Sequence, residues 1–288
     1  MKIALYQYQP AIRLYKTAIL LQSLGHKVTI FKKRKRHPVQ GLDWSEFKIK
    51  NIEDVVKLSK RYKVLICYNP GLEVPANESK VIQYVGDLKG IHYKLEREEE
   101  NLKKAEVVIF VSENQLNHAK KMYGIEKGYV VYNALLKCMA GEHKERQPGT
   151  AVYSGTLSNV YGSSRNVYTQ LRKAAKRYDL HIYPTFRGLP EGYEQLRATI
   201  HKPVSPYKLV SELSKYEYGL ILISDPTITR MAVPNKYFEY MAAGCKIISD
   251  YNINLPFMHY EDQAYIFEKI LKEEIWALES EEDKRSSL

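Results

Sequence analysis

VPNKYFEYMAAGCKIISD, residues 233–250, reads in one pass as a loop, a helix and a strand. Pro234 suits a first helical turn, where its missing N–H would have no partner anyway. Gly244 suits the residue just past a helix end, where a left-handed backbone is tolerated best without a Cβ. Between them Asn235 and Glu239 lie four apart and Lys236 and Glu239 three apart, so they share a face, and Phe238, Met241 and Ala242 are expected on the packed side. A lysine and free N–H groups at a helix start suit a diphosphate, and Glu239, one turn deeper, can accept hydrogen bonds from ribose hydroxyls. On spacing alone, the plainer reading of an amphipathic helix with a surface Lys–Glu pair is favoured.

The same alternation runs outward in both directions. Toward the N-terminus come a strand at KIALYQY, a helix over Ile12 to Leu24, a strand at Val28 to Phe31, a helix near Ile52 to Arg61, and strands at Val64 to Tyr68 and Val81 to Val85. A charged helix is expected over Tyr93 to Lys104, a strand at Val107 to Ser112, a helix over Glu113 to Tyr123 and a strand at Tyr129 to Asn133. After the polar, turn-rich CMAGEHKERQPGT the cycle restarts at AVYSGTL, with helices over Ser163 to Arg177, Gly192 to Arg197 and Lys208 to Ser214, and strands at LHIYP and YGLILIS. A last helix runs from Glu261 to about Ser280. Strands alternating with helices, without hairpin signals, predict parallel sheets covered on both faces. The expected fold is therefore α/β, two Rossmann-like doubly wound domains facing a cleft: 1–138, a linker at 139–149, and 150–288, the last helix packing back on the first domain. Ligands in such folds sit at the C-terminal ends of strands.

At 288 residues the chain is long enough for two such cores. Its three cysteines are far apart and lack metal-ligand spacing, which fits a reducing cytoplasm. No apolar run is long enough to span a membrane, so the expectation is a cytoplasmic protein, at most peripheral at a membrane. The net charge of +11 favours anionic partners, among them nucleotide phosphates, anionic lipid and nucleic acid. KKRKRH, Lys32 to His37, is the densest cluster and reads first as a solvated loop.

The 233–244 segment closely resembles the P-x-K-x-x-E-Y-(M/L)-A-x-G donor-site motif of GT-B-fold glycosyltransferases, in particular the large retaining group of bacterial, archaeal and viral cell-surface sugar transferases (family four). GHKVTIF, AEVVIFVSENQLNHAKKMYG with VVYN, AVYSGTL, and VSPYKLVSELSKYEYGLILIS are similar to segments of that group in the same order. The resemblance implies a nucleotide-sugar donor, UDP- or GDP-linked, held by Pro234, Asn235, Lys236 and Glu239. Gly155 and Thr156 would approach the diphosphate or sugar, and Arg165 would stand in for a lysine that the group carries on the next helix. Tyr183, Val204 and Tyr207 fall where the group places backbone and an aromatic against the base. Each also has a plainer reading, a turn for Gly155, a solvated helix start for Arg165 and loop packing for the rest. The group's second glutamate, eight positions before the one matching Glu239, is here Met231, which puts sugar identity and retention in question; Asp225 and Arg230 lie in the same loop.

In the N-terminal half YVGDLKGIHYKLEREEENLKKAEVVIFVS resembles the group's acceptor side, which makes Asp87 and His92 the catalytic candidates, against a strand-end cap and a structural histidine. Arg13 is a candidate for an anionic acceptor or the diphosphate. The implied acceptor is a hydroxyl on a glycan, a lipid-linked sugar or a protein. No DxD dipeptide is present, so no metal and no further cofactor are expected. The alternatives are an epimerase or hydrolase on the same scaffold, a catalytically silent nucleotide-binding partner, and a transferase acting on DNA.

Overall fold

The computed structural model describes residues 1–33, 41–52, 58, 61–68, 80–86, 95–126, 128–185, 188–225, 231, 234–250 and 260–272. Two compact units emerge, one of Met1–Tyr132 with the segment from Glu261 onward, the other of Asn133–Tyr260. The division thus falls after Tyr132. A 3-10 turn at Lys137–Met139 runs up to the stretch expected as a linker, and the next strand starts inside that stretch, at Gln147.

The first unit contains β1 (Lys2–Tyr6), α1 (Ile12–Ser23), β2 (Lys27–Lys33), β3 (Lys48–Ile52), β4 (Val64–Tyr68), β5 (Lys80–Val85), α2 (Glu96–Lys104), β6 (Val107–Phe110), α3 (Glu113–Tyr123) and β7 (Tyr129–Val130). The helix at its C-terminal end, Tyr260–Ile270, is α7 in chain order and joins this unit. Its sheet has the order β3-β2-β1-β4-β5-β6-β7, every described ladder parallel. The central strand VLICY is buried at all five positions, as a strand covered on both faces must be. On α1, Leu14, Ala18 and Leu21 recur at helical spacing and are fully buried. Ser112 caps α3 by accepting from the Gln115 N–H at 3.1 Å, and Gly124 closes it at φ 66°.

The second unit contains β8 (Gln147–Gly155), α4 (Tyr168–Ala174), β9 (Asp179–Pro184), β10 (Thr199–Ile200), α5 (Pro206–Leu213), β11 (Tyr216–Ile221), α6 (Asn235–Ala242) and β12 (Lys246–Ser249). Its parallel sheet has the order β10-β9-β8-β11-β12. The chain leaves β8 in one direction through β9 and β10, then returns to the other side through β11 and β12. That reversal puts a topological switch point between β8 and β11. In the first sheet the same reversal lies between β1 and β4. Ala151, Tyr153, Leu180, Ile182 and Leu220 share one core with Val167 and Leu171.

Several elements differ from the sequence reading. Lys48–Ile52 is a strand that was not expected, and the helix expected to start at Ile52 otherwise lies outside the described residues, apart from Leu58 and Arg61. The helix expected over Ser163 to Arg177 shrinks to Tyr168–Ala174. Ser163 accepts from the Arg165 N–H through its hydroxyl at 3.3 Å and from the Asn166 N–H through its carbonyl at 2.9 Å, so local turn bonds compete with the helical ladder there. Gly192 to Arg197 holds only the 3-10 turn Tyr193–Gln195.

Candidate functional site

The second unit gathers most of the residues singled out around 233–250 at the C-terminal ends of β8 and β11. Tyr240 fastens α6 there. Its hydroxyl accepts from the Ser154 N–H at 2.8 Å and points at the carbonyls of Val152 and Leu220, each at 3.3 Å, touching both strands that flank the switch point. The ring fits because β11 offers Gly219 beneath it: a Cβ there would lie 2.5 Å from the Tyr240 Cγ. Phe238 is fully buried as expected, but Met241 is 41 % exposed, and Tyr237 and Tyr240 supply the packing assigned to it. With helical geometry fixed by Tyr240, the face one turn earlier belongs to Lys236.

Lys236 is only 9 % exposed. Its Nζ sits 3.8 Å from the centroid of the buried Tyr153 ring and 3.1 Å from the place a Cβ would take on Gly155. Gly155 has φ 137°, so the position demands glycine twice, for its backbone and for the ammonium beside it. Burial pulls the Lys236 pKa down to about 7, the Arg165 guanidinium pulls the same way, and Glu239 and Asp250 pull weakly back. Arg165 is exposed on the loop after β8, and that loop is pinned by the Ser158 N–H to the Arg165 carbonyl at 3.1 Å and by the Ser224 hydroxyl to the Ser163 carbonyl at 2.6 Å. Asn235, at the start of α6, has a buried Oδ1 with no hydrogen-bond partner. Pro234 precedes it in extended backbone, φ −67° and ψ 134°. Glu239 is half-buried one turn along.

Asp250, not singled out from the sequence, ends this arrangement after β12. Its Oδ2 accepts from the Ile223 N–H at 3.3 Å, and partial burial pushes its carboxyl above the ordinary value. Only its place after an apolar strand could have drawn attention to it. Thr156 is half-buried with Oγ1 3.4 Å from the Thr185 Oγ1.

The base-side expectation needs correcting at Tyr183. That ring is 4 % exposed and lies flat on His201, with centroids 4.2 Å apart and 5° between planes, while its hydroxyl is 3.0 Å from that of Tyr216. The alternation of β9 turns Tyr183 to the α5 side of the sheet, and His201 takes the accessible position. A hollow of about 460 Å³ at the ends of β9 and β10 is lined by Pro184, Gly188, Leu189, Ile200, His201, Lys202 and Pro203. Val204 and Tyr207 are half-buried just beyond it. A larger hollow, about 520 Å³, lies at the opposite end of β9 beside Asp179 and Arg197, away from Lys236.

Arg13 belongs to the first unit, with its guanidinium over Gly86 at the end of β5. Asp87, His92 and Arg230 lie outside the described residues, and Met231 is half-buried. Among the described residues no group of three His, Cys, Asp or Glu side chains is placed to hold a metal ion, and no helix is long and apolar enough to cross a membrane.

No protein-family model matches the chain, and no curated protein matches it in sequence. Solved structures do. An alpha-glucosyltransferase in complex with UDP and a 13-mer DNA containing an HMU base is similar at TM-score 0.62 and 13 % identity, over 94 % of this chain and 90 % of that one. The chain has the GT-B fold. Sucrose-phosphate synthase of Thermosynechococcus elongatus is similar at TM-score 0.60 and 11 % identity, over 96 % and 91 %. HepE of Anabaena, in complex with UDP, is similar at TM-score 0.60 and 9 % identity, over 94 % and 90 %. At these identities the likeness concerns the GT-B fold.

Proposed function

We propose that the chain is a glycosyltransferase that moves a hexosyl group from a nucleoside-diphosphate sugar to an acceptor hydroxyl, with net retention and without a metal ion. The observation that carries this reading is the placement of Lys236 against Gly155 and Tyr153 at the switch point, with Arg165 acting on it from the facing loop. In the reaction the bond from the sugar's anomeric carbon to the diphosphate oxygen breaks and a bond to the acceptor oxygen forms. Negative charge grows on the departing diphosphate. Lys236, Arg165 and the first free N–H groups of α6 are arranged to meet that charge, which is the form of stabilisation that lowers a barrier most. Two cations there supply the charge that a metal ion supplies elsewhere, which is the support for metal independence.

Asn235, with its orphaned buried Oδ1, offers a hydroxyl of the sugar an acceptor that the protein itself leaves open. Glu239 accepts from the ribose hydroxyls. The base lies in the hollow beside His201 and Pro184, with UDP the first candidate, because two of the similar structures are complexes with UDP. Retention comes from the resemblance, and with Met231 in place of a glutamate, Asp250 is the carboxylate nearest to taking up that role. Asp87 and His92 remain the proposed acceptor-side groups. The protein works in the cytoplasm, at a membrane when its acceptor is lipid-linked.

The test is a thermal-shift series with UDP, GDP, ADP and dTDP and their sugars on the full chain, Lys236→Ala and Glu239→Ala. Stabilisation by one nucleotide, lost in both variants, is expected. No shift with any of them at millimolar ligand would sink the reading. A second reading, a DNA acceptor, is favoured by the net charge of +11 together with the DNA-bound glucosyltransferase among the similar structures. It requires duplex binding that falls steeply with salt.

A further inference from the structure

The first unit has its own switch point, between β1 and β4, and polar groups without partners collect beside it. Tyr68 ends β4 and Tyr84 sits one residue from the end of β5, side by side in the ladder. Their rings stack at 5.0 Å, and Tyr84 continues the stack onto Phe267 of α7 at 6.1 Å. Tyr84 is 0 % and Tyr68 2 % exposed, and neither hydroxyl has a hydrogen-bond partner. Gln83 and Gln115 use their amide N–H groups on the carbonyls of Cys67 and Gly86, at 2.9 and 3.1 Å, and leave both Oε1 atoms buried and unpartnered. Three of the seven buried polar atoms without a partner among the described residues, those of Tyr68, Tyr84 and Gln115, therefore lie around this one strand end, while Gln83, the strand neighbour of Tyr84, points to the opposite face of the sheet. Buried orphans are costly and rare, so such a concentration calls for a ligand.

Arg13 identifies the ligand's charge. It starts the helix that follows β1, is partly exposed, and occupies the space that a side chain on Gly86 would need. Burial raises both phenols, Tyr84 to about 12, and the Arg13 guanidinium pulls each of them part of the way back. Thr17, beside Tyr68, is committed to the Arg13 carbonyl at 3.2 Å. Guanidinium and phenol donors suit an anion, and amide oxygens suit hydroxyl hydrogens.

We propose that the β4–β5 rim of the first unit, with Arg13, Tyr68, Tyr84 and Gln115, is a subsite for a sugar or polyol that carries a phosphate or a carboxylate. As the acceptor subsite it rests on the glycosyl-transfer reading; as a binding site it stands alone. The anion pairs with Arg13 and draws hydrogen bonds from Tyr84 and Tyr68, and the ligand's hydroxyls donate to the Gln115 Oε1.

The experiment is calorimetric titration of the full chain with glucose 6-phosphate, glucuronate and glucose, repeated on Arg13→Gln, Tyr84→Phe and Lys236→Ala. Either charged sugar should bind at least about tenfold more tightly than glucose, and Arg13→Gln should remove about tenfold or more of that affinity. Tyr84→Phe keeps the ring stack and so the fold, and should weaken the charged sugars several-fold. Lys236→Ala should bind them as the parent does. The proposal is overturned if charged and neutral sugars bind alike, if none binds at millimolar concentration, or if Lys236→Ala and not Arg13→Gln abolishes binding. Duplex DNA held through Arg13, with no small sugar bound, would also overturn it. The nucleotide thermal shifts report on the second unit separately, so anion binding here without any nucleotide shift would reject glycosyl transfer and leave the subsite intact.

Discussion

Lys236 should titrate near neutrality in the empty protein, and donor binding should therefore take up a proton. The displacement from 10.5 to about 7 corresponds to roughly 5 kcal/mol against the charged form, at about 1.4 kcal/mol per pH unit. Its main source is burial, with Nζ held over the Tyr153 ring. Between pH 7 and 10.5 the unfolded chain holds a proton that the folded chain lacks, so this group makes stability rise with pH across that window, and below it the whole penalty stands. A bound diphosphate places negative charge beside Nζ and raises the pKa again. Donor affinity should then fall about tenfold per unit as pH rises above 7, until the pKa of the complex is reached. Calorimetry at pH 8 in two buffers of different ionisation enthalpy measures the uptake directly, and at that pH the phosphate itself, with a second pKa of about 6, contributes little. Close to one proton per nucleotide is expected for the parent and none for Lys236→Met. No uptake in the parent, or the same uptake in Lys236→Met, would rule out Lys236 as the group that takes up the proton.

Gly155→Ala should lose nucleotide binding by about tenfold or more, because its φ of 137° is strained for alanine and the added methyl meets Lys236; the thermal-shift amplitude with the nucleotide reads this. Tyr240→Phe leaves the Ser154 N–H unpaired in the core and should cost about 1–3 kcal/mol in a urea denaturation, with the m-value unchanged. Glu239→Gln should weaken the nucleotide with little change in melting temperature of the empty protein, since half-buried Glu239 is not part of the core; a 2′-deoxynucleotide should narrow the gap between parent and variant.

Periodicity and punctuation made the two parallel sheets legible, because a strand covered on both faces must be apolar throughout and its crossover helix must be amphipathic. Failures fall where side chains supplied the missing information. Lys48–Ile52 has the composition of a solvent-facing edge, KIKNI, and only pairing with Thr29 to Lys33 makes it a strand. Ser163 and Asn166 turned an expected helix into a pinned loop. Lys236, Glu239 and Gly155 were singled out through the resemblance of their segments to a donor-site motif, since spacing alone favoured a plain surface Lys–Glu pair and a simple turn. Tyr240, Gly219 and Asp250 were not, since a tyrosine that pegs a helix to two strands looks in sequence like any packed aromatic. The same limit applied to Tyr183 and His201, whose faces are set by the pleat of β9 and not by their identity.

The two switch points carry different unfinished chemistry, and that difference bears on how the protein would divide its labour. In the second unit the groups are a buried ammonium, a guanidinium acting on it and one unpartnered amide oxygen, suited to gaining charge stabilisation as a diphosphate leaves. In the first unit they are two phenols and one amide oxygen near Arg13, groups with modest charge and fixed direction, suited to holding a polar ligand in one pose. The empty state is destabilised at both places, since an unpartnered buried phenol costs of the order of 1–3 kcal/mol. Phenylalanine at Tyr84 should accordingly raise the melting temperature of the empty protein while weakening its anionic ligand. If Tyr84→Phe melts lower than the parent, the hydroxyl has a partner in the free protein and is not held open for a ligand.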